Sequence, residues 1–223
     1  MIPIEKKCSV CKKIKKLELF HRAAIGLYGR RSCCKMCRHG KEQKLKKMRY
    51  DYLRDRSCEH CGEMDVQVLE FDHCIGKKTR CVSNCRSKRA FYKEVSKTRI
   101  LCIICHTKVS HDQRQASMVQ KTATLTKSGT KARKRRLKVQ TEIDDEKRKR
   151  DGCVLCGFID YEYLCTLHFD HVDPSTKQFN ISDSWQYSQQ KREEELKKCR
   201  LLCGKCHKLH TDKQNKMKCL LFE

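Results

Sequence analysis

Aromatic residues, proline and long apolar runs are all scarce in this chain. Of its 223 residues 38% are hydrophobic and 7% aromatic, with one Trp and two Pro. No uninterrupted apolar stretch approaches the roughly twenty residues of a membrane-spanning helix, so no membrane contact is expected. The apolar material is also too thin for one large core. Small modules held by something other than burial are the expectation. The N-terminal MIPIEKKCSVCKKIKK has no apolar segment of signal-peptide length, so the chain is expected in a reducing intracellular compartment rather than secreted. Cytoplasm, nucleus and the factory or virion of a DNA virus all qualify.

Cysteine is abundant instead. Twelve of the 19 Cys fall into six Cys-x-x-Cys pairs: Cys8/Cys11, Cys34/Cys37, Cys58/Cys61, Cys102/Cys105, Cys153/Cys156 and Cys203/Cys206. Two cysteines on one tight turn close on each other poorly, whereas both sulfurs can point at one Zn²⁺ about 2.3 Å away. Six pairs make three four-thiolate zinc sites. A disulfide scaffold fails on compartment and on the odd total. Cys33, Cys74, Cys81, Cys85, Cys165, Cys199 and Cys219 remain, and we read them as small buried side chains or exposed thiols. The spacing to Cys37 selects Cys34 over Cys33.

Acidic residues are outnumbered, with 27 Asp and Glu against 52 Lys and Arg and a formal charge of +25. Residues 1–57 carry 18 basic and 5 acidic groups, residues 151–223 carry 11 of each. Positive charge therefore sits in the N-terminal two thirds. Nucleic acid is the expected partner, DNA first and RNA as the alternative, since each neutralised phosphate releases counterions. The KARKRR run contributes Lys131, Arg133, Lys134, Arg135 and Arg136. As a solvated helix face, a nuclear-import signal or a phosphate-binding surface, it fits three roles.

An internal repeat organises the rest. Residues 58–111 and 153–210 share the order Cys-x-x-Cys-Gly, Leu-x-Phe-Asp-His, Glu-x-x-Lys-x-Arg, Leu-Cys-x-x-Cys-His. Asp72 and His73 align with Asp170 and His171, and Glu94, Lys97, Arg99 and His106 with Glu195, Lys198, Arg200 and His207. Local patterns predict a basic helix after Cys37, a second over 130–149, and a short strand at each Leu-x-Phe-Asp-His. A polar loop follows each strand, with Gly76 in the first copy and Pro174 in the second. A helix should then lead to each second Cys pair, with another starting near it. Residues 112–130, rich in Gln, Thr and Ser, are expected to be a mobile linker. The expected architecture is small α+β zinc-stabilised modules: a zinc ribbon over 1–40, a basic helical connector over 41–57, a first module over 58–118, a basic linker or helix over 119–150 and a second module over 151–223.

In each copy zinc would clamp the strand against the start of the following helix. Asp170, His171 and His207 would then share a small volume, a grouping that metal-dependent phosphodiester hydrolysis can use. Zinc held by four thiolates has no open position, so a second metal is needed.

The order Cys-x-x-Cys, Asp-His, Cys-x-x-Cys-His resembles the HNH, or His-Me finger, endonucleases with four-cysteine zinc sites. Phage endonuclease VII and HNH proteins of phages and large DNA viruses belong to that group. The match is closest in GCVLCGFIDYEYLCTLHFDHVDPSTKQFNIS and KCRLLCGKCHKLHT. The resemblance implies tandem ββα-metal fingers, with His171 as general base and Asp170 and His207 as ligands of a catalytic Mg²⁺ or Mn²⁺. Asn180 would be the middle residue of the family name, although Val82 aligns with it and Asn84 lies two positions on. His168 could orient water or phosphate, and His210 would be an accessory ligand, aligned with Val109. The first copy keeps Asp72, His73 and His106, with Glu70 in place of His168, and is a second active site or a copy retained for binding. The N-terminal CSVC…CKMC module resembles a short zinc ribbon. There Phe20, Tyr28, Arg30 and Arg31 suit stacking and backbone contact, with Phe20 as core filler the competing role. Trp185 is expected in the core. The function expected is a metal-dependent DNA endonuclease, against a non-catalytic zinc-ribbon nucleic-acid-binding protein or a protein adaptor. Oligomeric state stays open, a dimer included.

Overall fold

The computed structural model describes residues 4–120 and 127–220. It is a small α+β protein built on two-stranded sheets and three groups of four cysteines. None of its described helices is long and apolar enough to cross a membrane. The chain divides into two compact units, Met1–Arg56 with His73–Arg99 and Ser57–Asp72 with Ile100–Glu223.

In the first unit β1 (Glu5–Lys7) pairs antiparallel with β2 (Ile14–Lys16), and β3 (Phe20–Arg22) with β4 (Arg30–Cys34). Phe20 is fully buried beside Cys8 and Cys34, so it fills the core and is not open to a base. Lys6 is buried with it, its ammonium 5.1 Å from the Phe20 ring centre and its protons donated to the carbonyls of Leu27, Arg30 and Arg31. A buried ammonium needs such acceptors. The basic helix begins three residues earlier than expected: α1 spans Lys35–Leu53, and of its residues only Leu53 is buried. It touches α2 (Lys88–Val95) through Tyr52, which sits edge-on to Phe91 at 5.6 Å.

β5 (Leu69–His73) and β6 (Thr98–Cys102) form a third two-stranded sheet, and in the second unit β7 (Leu167–His171) runs antiparallel to β8 (Cys199–Cys203). Both Leu-x-Phe-Asp-His segments are the strands expected of them. The helix before each second Cys pair, α2 in one copy and α5 (Gln189–Lys197) in the other, does not reach the cysteines. A five-residue strand intervenes, its apolar Ile100, Leu101, Leu201 and Leu202 buried. The expected linker is mostly helix as well. α3 runs Ile103–Gln120, because a helix started at the Cys pair meets no Gly or Pro to stop it, and α4 runs Lys127–Arg148 through Gly129; positions 121–126 of that linker lie outside the described residues. α6 (Gly204–Leu220) closes the chain. Leu164, Leu167, Leu201 and Leu202 form a core with Cys153 and Cys203, and Ile104 of the first copy packs against it. Lys205–Glu63 and Lys108–Asp160 ion pairs, at 2.6 and 2.5 Å, join the two copies there.

Candidate metal centres and catalytic site

All six Cys pairs assemble as the spacing predicts. Cys8, Cys11, Cys34 and Cys37 form one group, Cys58, Cys61, Cys102 and Cys105 a second, and Cys153, Cys156, Cys203 and Cys206 a third, each with its sulfurs within 4.8 Å of one another. The Cys61–Cys102 and Cys156–Cys203 sulfur separations, 3.6 and 3.7 Å, match the edge of about 3.8 Å in a tetrahedron with 2.3 Å Zn–S bonds. The first pair of each group sits on one repeated turn. The N–H of Lys12, Gly62 or Gly157 donates to the carbonyl of the first Cys at 3.0, 2.9 and 2.8 Å. Those three residues share a left-handed backbone, with φ of 62°, 77° and 71°, which explains the Gly after two of the pairs. The second pair of each group opens α1, α3 or α6.

The sulfurs are unequal in each group. Burial raises the Cys8 thiol, but N–H donors from Cys34, Cys11 and Val10 outweigh it and bring it down to about 6. Cys37 is pushed up to about 12, first by its contact with Cys34 and then by burial. Four crowded thiols cannot all ionise without a cation between them, and a zinc ion in tetrahedral coordination would supply it. Cys33, Cys74, Cys81, Cys85, Cys165 and Cys199 belong to none of the three groups. The side chain of Cys219 lies outside those described. Cys199 packs in the core with Val139, Ile143 and Ile181, where burial takes its thiol up to about 11.

Strand register builds the second site. Asp170 faces Arg200 across the β7–β8 ladder, and the Arg200 guanidinium grips Asp170 Oδ2 through Nε and Nη2, both at 2.9 Å. Consecutive strand residues turn to opposite faces. Asp170 therefore turns to α6, where His207 Nε2 lies 3.6 Å from its Oδ1. His171 turns to α5, where its Nε2 meets Glu195 Oε1 at 2.8 Å. Glu195 is fully buried. Burial raises its carboxyl, yet donors from Lys198, the Gln178 N–H and His171 outweigh that and lower it to about 2. His168 lies on the face of Asp170, its ring 5.3 Å from that of His207. Burial, and then His207, lowers it to about 4.

A cavity of about 600 Å³ opens on this group and is lined by His168, Asp170, His171, Asn180, His207 and Lys177 among others. The residues expected at the second site thus converge. Asn180 reaches the cavity wall, with its amide donating to Asp183 at 3.0 Å. His210 takes a hydrogen bond from Arg200 on its Nε2 at 2.8 Å, while its buried Nδ1 has no hydrogen-bond partner among the described residues and lies 3.6 Å from Asp170 Oδ2. Trp185 packs on the Val139–Ile143 cluster, under the Arg136 guanidinium at 4.0 Å.

The first copy repeats the same pairs. His106 Nε2 lies 3.7 Å from Asp72 Oδ1, and Glu70 meets His106 Nδ1 at 2.6 Å. His73 Nε2 lies 3.2 Å from Glu94. Glu-x-x-Lys-x-Arg, which served only to align the copies, turns out in the second copy to be the support of the site: Glu195 on His171, Lys198 on Glu195 at 2.7 Å, Arg200 on Asp170. Its recurrence was the signal for these residues.

Of the basic residues expected to meet nucleic acid, Arg31, Lys131, Lys134, Arg135 and Arg136 are exposed, and Arg30 and Arg133 are half-buried. Arg30 donates to the Phe20 carbonyl and Arg135 to that of Tyr187. Tyr28 is 44% exposed on a left-handed backbone. Comparison with family models, with curated proteins and with solved structures gives no match to this chain.

Proposed function

We propose that the chain is a metal-dependent DNA endonuclease of the HNH type, with the cavity of the second copy as a hydrolytic centre and basic surface supplying affinity for the phosphate backbone. The observation that carries this reading is the convergence of Asp170, His171 and His207 on one cavity, with His171 anchored by a buried carboxylate. The donor set fits a hard divalent cation. Asp170 Oδ1 and His207 Nε2 offer oxygen and nitrogen 3.6 Å apart, a gap that two bonds of about 2.1 Å can close. They would hold Mg²⁺ or Mn²⁺, which when bound stabilises charge on a phosphate oxygen.

The chain's own groups do the rest. Arg200 occupies Asp170 Oδ2 and leaves Oδ1 toward His207. His171 takes the proton of an attacking water. Lys177 adds positive charge at the cavity wall. The three four-thiolate zinc sites are closed to chemistry; they hold the strands and helices that carry these groups. RNA is the alternative substrate.

A non-catalytic nucleic-acid-binding protein is the second reading, and one observation favours it: Arg200 satisfies Asp170 without any metal. Nicking of supercoiled plasmid with Mg²⁺ separates the two. Wild type should cut, His171→Ala should cut more slowly, and His73→Ala/His171→Ala should not cut. Equal cutting by the double variant would sink the nuclease reading. Native mass spectrometry should count three zinc ions in every variant.

A further inference from the structure

The least accessible charged group of the second copy is neither a zinc ligand nor one of the residues named for the chemistry. Glu195, on α5, has no exposed surface, and a carboxylate stays charged in such a place only when donors surround it. It has three. Lys198 Nζ donates to Oε2 at 2.7 Å, the Gln178 N–H to Oε1 at 2.8 Å and His171 Nε2 to Oε1 at 2.8 Å. The first copy arrives at the same arrangement by a different route. Glu94, 2% exposed, takes Lys97 at 3.0 Å and His73 at 3.2 Å, with the Thr79 hydroxyl in place of a backbone N–H. The third donor changes between copies while the lysine and the histidine stay.

We propose that Glu195 is the positioning residue of the hydrolytic centre, holding the His171 ring with its proton on Nε2 so that Nδ1 is the nitrogen that accepts a proton, and that Glu94 does the same for His73. A carboxylate can only accept, so the ring nitrogen facing it must donate, and the other becomes the base. The catalytic consequence rests on the nuclease reading; the hold on the ring does not.

Glu195→Gln is the informative substitution. Its amide has the size of the carboxylate, but whichever way it turns, an N–H is set against a donor, Lys198 on one side or His171 and Gln178 on the other. The experiment uses the full chain in a His73→Ala background, so that only the second copy is followed. Plasmid nicking with Mg²⁺ should fall about 10–100-fold in kcat with KM unchanged, the usual cost of losing a partner that orients a catalytic or ligating histidine, while three zinc ions are retained. Nitrogen-15 NMR of His171 should show an Nε2 proton protected from exchange in the parent, and loss of that protection in Glu195→Gln. The parent spectrum decides the matter even if the variant does not fold. A ring protonated on Nδ1 with Nε2 bare, or an Nε2 proton that exchanges freely, overturns the inference. Unaltered cutting by Glu195→Gln, in a background where His171→Ala is inactive, overturns it too and leaves the nuclease reading standing. Cutting that survives His171→Ala fails the nuclease reading instead, and the ring spectrum still decides whether Glu195 holds the base.

Discussion

Lys12 occupies a position that the other two zinc turns give to glycine, and the difference should be measurable. At φ of 62° its β-carbon crowds the backbone, a strain of about 1–2 kcal/mol for an L-residue. Replacing it with glycine removes that strain but frees the unfolded chain by about 0.5–1 kcal/mol. Lys12 is exposed, so little packing is lost. The net expectation for Lys12→Gly is a gain of about 0.5–1 kcal/mol in the ribbon. Gly62→Ala and Gly157→Ala should lose about the same, because a β-carbon at either position meets nothing within 4 Å and only the backbone term remains. Each turn presents two zinc ligands, so the shift reappears as a change of about two- to fivefold in the affinity of one zinc site. Chelator competition followed by native mass spectrometry resolves three release steps. One step should move up in Lys12→Gly and one should move down in each alanine variant. A weaker zinc site in Lys12→Gly, or no change in Gly157→Ala, would refute the strain argument.

Two further outcomes are expected. Lys131, Lys134 and Lys138 on α4 are exposed and form no ion pair among the described residues, so changing all three to Gln should lower the slope of log affinity for duplex DNA against log salt by about 2–3. Arg135 and Arg136, engaged with Tyr187 and Trp185, should alter that slope less; an unchanged slope in the triple variant would exclude α4 from the phosphate contact. The second concerns acid. Glu195 is depressed to about 2 from an ordinary value of 4.5, so its contribution to stability is complete above the unfolded value and declines as pH falls from about 5 toward 2. Denaturant unfolding of wild type and Glu195→Gln should therefore differ most near neutrality and converge in acid, and a gap that widens on acidification would contradict the assignment.

Much of this arrangement was legible in the order of residues. Cys-x-x-Cys spacing named all twelve cysteines of the three groups, because two thiols on one turn have few other uses. The repeat placed both Asp-His strands, since alternation in Leu-x-Phe-Asp-His is a local pattern. β6 and β8 escaped notice because Thr98–Cys102 and Cys199–Cys203 are short, and their identity as strands depends on pairing with distant β5 and β7. The 112–130 segment looked like a linker from its Gln, Thr and Ser content, yet its residues 112–120 continue the helix nucleated at the preceding Cys pair. Glu195 was visible as a repeated letter and silent as to role. A glutamate becomes the partner of a histidine 24 positions away only when α5 folds back along the sheet.

The zinc groups and the candidate site are one construction rather than two neighbours. Cys203 faces Leu167 across the β7–β8 ladder, and three residues along the same ladder Arg200 faces Asp170. A slip of one residue would turn Arg200 away from Asp170 and bury the wrong face. A sheet of two five-residue strands has little of its own to prevent that slip. The thiolates of Cys203 and Cys206, tied to Cys153 and Cys156, pin the end of β8 and the first turn of α6 together. His207 follows Cys206 directly, rotated by about 100° around the helix, which swings it off the zinc and onto Asp170. Zinc bound at this group would therefore set where Asp170 and His207 stand without touching them, and a chain with so little apolar material can hold a buried Glu195 and a closely packed Asp170 in a fixed place.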